Sequence, residues 1–397
     1  MSNTTLIHDL VMKEGVRTLR NNTVFANSVK KDYDASFAVM GAKGGEGIRI
    51  QVPQLFSTRT GKTMNTQDVT QTAVTLTVSN VLGIDIEFSS AEMTQDNVDR
   101  FNQNKVAPAM ATLAAKVDNA LLAIAYKGVN QGVTLPTTNV DRLDILRAGV
   151  KLDNGLAPRD GSRTVLLSPQ SMMDVTNDMS GLFNAAPNVS QQYKDGIVSM
   201  PSVGFNFGMT QNIPTLTTGS YDANYDVATA PANGATTLAI DTGTGTISVG
   251  DIFTIDTVYQ VNPLTKASTG VLMQFVCTDG SAGGTDTISF SPACYFEGPL
   301  QNVDSQPAVN DSLVFLGTAS TAYPKNLAFH RDFFCAGFAD LEIPRGAVYG
   351  TRVVEDGISM RMLEVYDGVN DVSKLRFDIM YGGVVVIPSY AARIYGL

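Results

Sequence analysis

KVAPAMATLAAKVDNALLAIAYKG, running from Lys105 to Gly128, carries the strongest periodic signal in the chain. Val106, Met110, Leu113, Val117, Leu121 and Ile124 recur at steps of four, three, four, four and three, which places one apolar stripe along about five turns of α-helix. Pro108 sits near the start, where a missing N–H is tolerated, so Phe101 to Lys105 reads as a separate or kinked turn. Lys127 and Gly128 close the helix. Outward from it the chain breaks into pieces of different character.

Upstream, Ile84, Ile86 and Phe88 alternate with Asp85 and Glu87 as a half-buried strand does, and Ser89 or Ser90 can cap a helical turn after it. Further back, after the glycine-rich hinge Gly41 to Gly47, Ile48, Ile50 and Val52 alternate with Arg49 and Gln51. Val74, Leu76 and Val78 alternate with Thr75 and Thr77 as a β-branched return strand. Between the two, Gln54 to Gln71 is polar and holds Arg59 and Lys62. This predicts one long hairpin with a polar tip, an element that is marginal in water by itself and therefore lies against something else. The first 35 residues scatter Leu10, Val16, Leu19 and Phe25 among five basic and four acidic residues, with the spacing of a short amphipathic helix around Ile7 to Arg20. Such an arm is too small for its own core, and its apolar side takes cover either from the same chain or from a neighbour.

Downstream, Val140 to Leu152 reads as a helix with Asn139 as cap and Leu143, Leu146 and Val150 on its apolar side. Thr164 to Leu167 is a buried strand, Ser168-Pro169 opens a helix through Val175, and Gly196 to Pro214 is irregular. Composition then shifts at about Asp226 and shifts back at about Ala322. The segment holds nine acids against one base, Lys266, and β-type runs at Thr236 to Ile240, Ile252 to Val261, Val271 to Thr278 and Thr287 to Phe290. Asp-Gly and Gly-Gly turns punctuate them, which predicts a small antiparallel barrel or sandwich inserted into an α+β domain. Strand patterns return between Leu375 and Tyr395.

With 44% hydrophobic and 17% charged residues in 397, the chain can bury a large core, divides into two or three folded units, and is no disordered polymer. Its formal charge is −10 with no basic stripe, which makes sequence-specific nucleic-acid binding a poor first reading, since that work needs clustered phosphate neutralisation. Cys277, Cys294 and Cys335 form no CxxC pair, so no disulfide framework is expected. The start is polar and no run of about 18 apolar residues appears, so neither signal peptide nor membrane span is expected, and a reducing cytoplasm is the expected place of synthesis.

Chemistry-bearing motifs are incomplete. His330-Arg331-Asp332 looks like the catalytic triplet of protein kinases, but Gly337 stands where a metal-binding Asn is needed. Gly61-Lys62-Thr63 ends like a phosphate loop, yet Phe56 occupies the position of the required glycine. Two histidines, His8 and His330, leave a Ser or Cys nucleophile almost no choice of base. No metal-ligand spacing and no calcium loop are present, so neither cofactor nor metal is expected. An arm, a protruding hairpin and an added β-domain without an active site point to self-assembly.

Several stretches resemble the major capsid proteins of tailed phages, those of the Hong Kong ninety-seven type fold, and particularly the coat-protein family of phage P22. They are Val52-Pro53 with Thr72 to Val78, Lys105 to Pro108, Asn154 to Pro158 followed by Arg163 to Pro169, and Gly204 to Phe207 leading to Asn212-Ile213-Pro214. Val261 to Lys266 with Thr269 to Leu272 resembles the family's inserted domain, and Asn326 to Asp332 with Ala339 to Leu341 its return to the core.

The resemblance implies an α+β capsid fold: residues 1–35 an N-terminal arm, 36–78 an extended loop lying on a neighbouring subunit, 79–130 a peripheral domain with the spine helix, 131–225 with 323–397 an axial domain and C-terminal strands, and 226–322 an inserted antiparallel β-barrel. It further implies a non-enzymatic subunit that assembles with itself, as hexamers and pentamers, into an icosahedral virion shell around packaged double-stranded DNA. Assembly takes place in the host cytoplasm with scaffolding and portal proteins as partners, no membrane, no cofactor, and only non-specific proximity to the DNA. The candidate subunit-contact residues are Ile48, Arg49, Ile50, Val52, Arg59 and Lys62 on the hairpin and Leu10 and Phe25 on the arm, the charged ones meeting acidic surfaces on adjacent subunits. One departure matters: with Lys266 its only base, the insertion lacks the means for reciprocal acid–base pairing with an identical copy. A cellular nanocompartment shell of the same fold is the alternative; a hydrolase or carbohydrate-binding β-protein is disfavoured by the absence of Trp.

Overall fold

The computed structural model describes residues 3–33, 47–56, 61–64, 66, 72–89, 102–133, 139–179 and 203–395, with backbone alone at 3–10, 32–33, 88–89 and 102–103. Strand makes up 42% and helix 22%, which is the expected α+β class. The chain forms two compact units, one of Met1–Ile50, Thr75–Leu122 and Phe334–Val384, the other of Gln51–Val74, Ala123–Phe333 and Val385–Leu397.

The first unit is built on a six-stranded sheet in the order Lys30–Tyr33, Phe334–Ala339, Val372–Val385, Ile358–Asp367 and Tyr349–Glu355, with Asn80–Ser89 also paired to Val372–Val385. The first pair is parallel and joins residues about three hundred positions apart. Helix α1 (Asn3–Asn22) lies on the last two strands of that order and buries Val11, Met12, Val16 and Leu19; the short α2 (Phe25–Ser28) comes next and buries Phe25 and Ala26. Of the two covers open to the arm, its own chain supplies the one observed, because the described apolar side chains of the arm close over this sheet. The long helix α3 (Ala107–Gly128) continues from a π turn at Asn102–Val106; Val106, Met110, Leu113, Val117 and Leu121 of the stripe read from the spacing are buried, and Ile124 is half-buried. By length and composition Asn104–Gly128 could cross a membrane, but here its stripe is core.

The hairpin strands Ile48–Gln51 and Ala73–Leu76 pair with each other, and the Val52 N–H donates to the Thr72 carbonyl at 3.1 Å. Within the first unit the base of the return strand is anchored: Leu76 and Val78 are buried over Gly337, where any Cβ would fall 2.8 Å from Leu76 Cδ2 and 2.9 Å from Val78 Cγ2. Only glycine fits there.

The second unit holds two further six-stranded sheets. One runs Gln131–Val133, Ala391–Tyr395, Ala322–His330, Arg163–Leu167 and Asn206–Met209, with Thr215–Thr217 paired to the start of Ala322–His330. The strand Asn206–Met209, parallel to Arg163–Leu167, lies in the stretch expected to be irregular. Helices α4 (Arg142–Asn154) and α5 (Pro169–Met179) pack on this sheet around Ile145, Leu152, Val165, Met172, Phe207 and Ile394. The cap of α4 is Asp141, whose N–H donates to Asp144 Oδ2 at 3.2 Å, and not Asn139.

The last sheet is the acidic segment, in the order Leu313–Phe315, Ile252–Val261, Ser268–Asp279, Asp286–Cys294, Ala235–Asp241 and Asp226–Thr229. Its edges meet: Val227 N–H donates to Asp311 O at 3.0 Å and Leu313 N–H to Tyr225 O at 2.7 Å, which closes the sheet into a barrel. Phe253, Phe275, Phe290, Leu238, Ile255 and Val303 fill it. Cys277 and Cys294 are buried thiols, pushed up to about 12 by that burial.

Candidate subunit interface

Three of the hairpin's candidate contact residues, Ile48, Arg49 and Ile50, lie on the strand Ile48–Gln51. Ile48 and Ile50 are half-buried and alternate with exposed Arg49 and Gln51, and Val52 is half-buried beyond them. Lys62 is exposed near the tip, while Arg59 lies outside the described residues. Two apolar residues hidden in the stretch read as polar are exposed here, Phe56 at 58% and Met64 at 79%. A solvated tip has no need of such side chains.

The arm behaves differently. Leu10 lies on α1, its side chain outside the described residues. Phe25 was expected to meet another subunit, and it is instead fully buried in its own unit, its ring 5.4 Å from that of Phe334. Asp118 of α3 fixes this corner by accepting the N–H groups of Val24 at 2.6 Å, Phe25 at 3.1 Å and Ala26 at 3.1 Å. Burial raises its carboxyl above the usual range, although the three N–H groups and Lys31 pull the other way. Arg20 reaches Glu355 at 3.0 Å and Lys31 reaches Asp356 at 2.9 Å, exposed pairs of small individual worth.

In the second unit, α4 turns out what the spacing had turned in. Ile145, Ala148, Gly149 and Leu152 face the sheet, while Leu143, Leu146 and Val150 are 53%, 43% and 58% exposed. Gly149 lies over the Phe205 ring, where a Cβ would make ordinary contact at 3.4 Å, and Ile145 and Leu152 fill the core on the same side of the helix. Leu146 and Val150 edge a groove of about 440 Å³ with Phe205, Asp153 and Arg163. Arg163, itself buried, donates to Asp153 Oδ1 at 2.8 Å and to the carbonyls of Ala157 and Pro158. Hydrogen bonding from Arg159, and then from Arg163, holds the Asp153 carboxyl below its ordinary range.

His330, the one motif histidine on described side chains, is structural. The Asp332 N–H donates to its Nδ1 at 3.2 Å, so the proton sits on Nε2 and is donated to Asp160 at 3.2 Å. Tyr390 packs edge-on at 5.8 Å. Among the described residues no group of three or more His, Cys, Asp or Glu is placed to hold a metal ion. In the barrel, Lys266 donates to the carbonyls of Pro299 at 2.6 Å and Gln301 at 3.2 Å, and burial lowers its ammonium from the usual range. The insertion's lone base is used within its own module.

A family model described as "P22 coat protein - gene protein 5" matches residues 1–394. Similar solved structures include Mycobacterium phage Che8, at 12% identity over 94% of this chain and 90% of that one with a TM-score of 0.47. A capsid structure of the cyanophage P-SCSP1u is 11% identical over 94% and 88%, with a TM-score of 0.49. A virus-like particle from Pyrococcus furiosus is 7% identical over 96% and 96%, with a TM-score of 0.40. No curated protein matches the sequence. With the family matched over nearly its whole length, the chain belongs to the P22 coat protein family and is a major capsid protein of the tailed-phage type.

Proposed function

We propose that the chain is a non-enzymatic building block whose hexamers and pentamers close an icosahedral shell around packaged double-stranded DNA. The observation that carries the residue-level reading is the uncovered apolar face of α4, Leu143, Leu146 and Val150, which a folded monomer would hide if it acted alone. Ile48, Ile50 and Val52 on the hairpin, and the exposed Phe56 and Met64, supply further apolar contacts, and Arg49, Arg59 and Lys62 pair with acidic surfaces on neighbours. Leu10 of the arm remains a candidate contact; Phe25 supports the fold of its own subunit. Repeated weak contacts sum over the many copies of a closed lattice. The balance of 38 acids against 28 bases suits a container that must not grip its DNA.

Assembly in the host cytoplasm, with a scaffolding protein and a portal protein, completes the reading, and no membrane or cofactor enters it. Electron microscopy of purified recombinant chain, with and without Leu143→Ser, Leu146→Ser and Val150→Ser together, tests it. Closed shells or hexameric sheets from the parent and folded monomer from the variant are expected. Normal particles from the variant would remove α4 from the interface, and a parent that stays monomeric would overturn assembly itself.

A further inference from the structure

Lys325 is buried to 1% exposure on the strand Ala322–His330, beside the join between the barrel and its neighbouring sheet in the second unit. Its Nζ has no hydrogen-bond partner. It lies 3.2 Å from the ring centroid of Tyr395 and 4.4 Å from that of Tyr323. Arg393, on the adjacent strand, is fully buried and spans the join by donating to Gly250 O of the barrel at 2.7 Å and to Val129 O at 2.8 Å. Asp251, the residue after Gly250, accepts the N–H groups of Gly219 at 3.0 Å and Ser248 at 2.8 Å. Gly219 comes close because it has no side chain: a Cβ there would fall 2.1 Å from Thr246 O.

The charges decide what state Lys325 takes. The groups around it are Tyr323 on its own strand, Arg393 and Tyr395 from the neighbouring strand, and Asp251 from the barrel side, with Tyr221 facing Asp251 and Tyr395. Tyr126 faces Arg393, and Cys277 faces Asp251. With Lys325 itself counted, two positions are cationic and one, Asp251, is anionic, and the anion is already engaged by two N–H groups. With the amine neutral, Arg393 and Asp251 balance; with it protonated, one positive charge is buried without a partner. The ring faces favour the ammonium. Burial, and then the nearby Arg393, outweigh them and bring the amine down to about 6.

We propose that Lys325, Arg393 and Asp251 form an acid-loosened latch between barrel and sheet, in which the Lys325 amine is uncharged while the latch is closed. Opening exposes the amine to water, where it takes up a proton at its ordinary value of 10.5. The open form therefore binds one more proton than the closed form between about 10.5 and about 6, so acid favours opening in that window and has no further effect below it. The opening constant rises about tenfold for each pH unit lowered.

Amide hydrogen exchange on the full-length chain from pH 6 to 9 reads the latch directly when followed at Gly132, whose N–H donates to Gln274 Oε1 of the barrel at 3.0 Å, and at Gly219, whose N–H donates to Asp251. The ratio of opening constants between the parent and Lys325→Met is expected to grow about tenfold per pH unit as the pH falls. Parallel pH profiles for the two chains would overturn the proposal. Should Lys325→Met fail to fold, ¹³Cε resonances of labelled lysines in the parent decide: one lysine titrating near 6 supports the latch, and lysines that all remain protonated through pH 9 overturn it.

Discussion

Asp118 Oδ2 accepts the Val24 N–H at 2.6 Å, tying the long helix to a segment more than ninety residues earlier. The same carboxylate takes two more N–H groups at the opening of α2, so one side chain serves three successive backbone donors. Asp118→Ala leaves three donors without that partner and is expected to cost about 3 kcal/mol or more. Urea unfolding of the monomer measures it, with the same variant showing faster exchange at Phe25 and Ala26.

Phe25→Ala separates a subunit's own stability from its assembly. Because the ring is fully buried against Phe334, the expected loss is about 3 to 5 kcal/mol in the monomer itself. A monomer of unchanged unfolding midpoint would return Phe25 to the interface.

Ile48→Ser, Ile50→Ser and Val52→Ser together are expected to leave a soluble monomer with little change in stability, since all three positions are only half-buried. Shell formation, scored by sedimentation, is expected to be lost. Wild-type yields of particles from this variant would dismiss the hairpin as a docking strand.

The Asp153 carboxyl, held below its ordinary 3.8, contributes stability that is in place above that value and is lost as the pH falls below it. Asp153→Asn is therefore expected to be less stable than the parent at pH 6, with the difference shrinking below pH 4. Thermal unfolding across pH 2.5 to 6 tracks this, and a difference that stays constant would assign the loss to packing.

Local periodicity carried much of the fold, and its failures have physical causes. The stripe of α3 was legible because Met110, Leu113, Val117 and Leu121 recur at one helical period, although Leu122 and Tyr126, off the stripe, are buried as well. In α4 two apolar rows compete, Ile145, Ala148 and Leu152 against Leu143, Leu146 and Val150, and spacing alone does not say which one the sheet takes. Strands Ile252–Val261 and Ser268–Asp279 announced themselves by β-branched runs, whereas Asp226–Thr229 and Leu313–Phe315 are too short to do so. The hairpin of Tyr349–Glu355 and Ile358–Asp367 had a readable signal in Asp356-Gly357, both at positive φ as a tight two-residue turn requires. Pairing of Lys30–Tyr33 with Phe334–Ala339 had none, since no local pattern names a partner so distant.

The contact residues were harder to read than the fold. Ile48 and Ile50 stand on a paired strand with alternating exposure, as their spacing predicts. Phe56 and Met64 were obscured by polar neighbours, and Phe25 misled because an apolar residue in a short arm looks the same whether its cover is intramolecular or not.

Lys266 hands its ammonium to two carbonyls of its own barrel, and so the module shows the surrounding liquid an almost unrelieved anionic skin. Two such barrels brought together repel as like charges, a repulsion that dissolved salt can screen away.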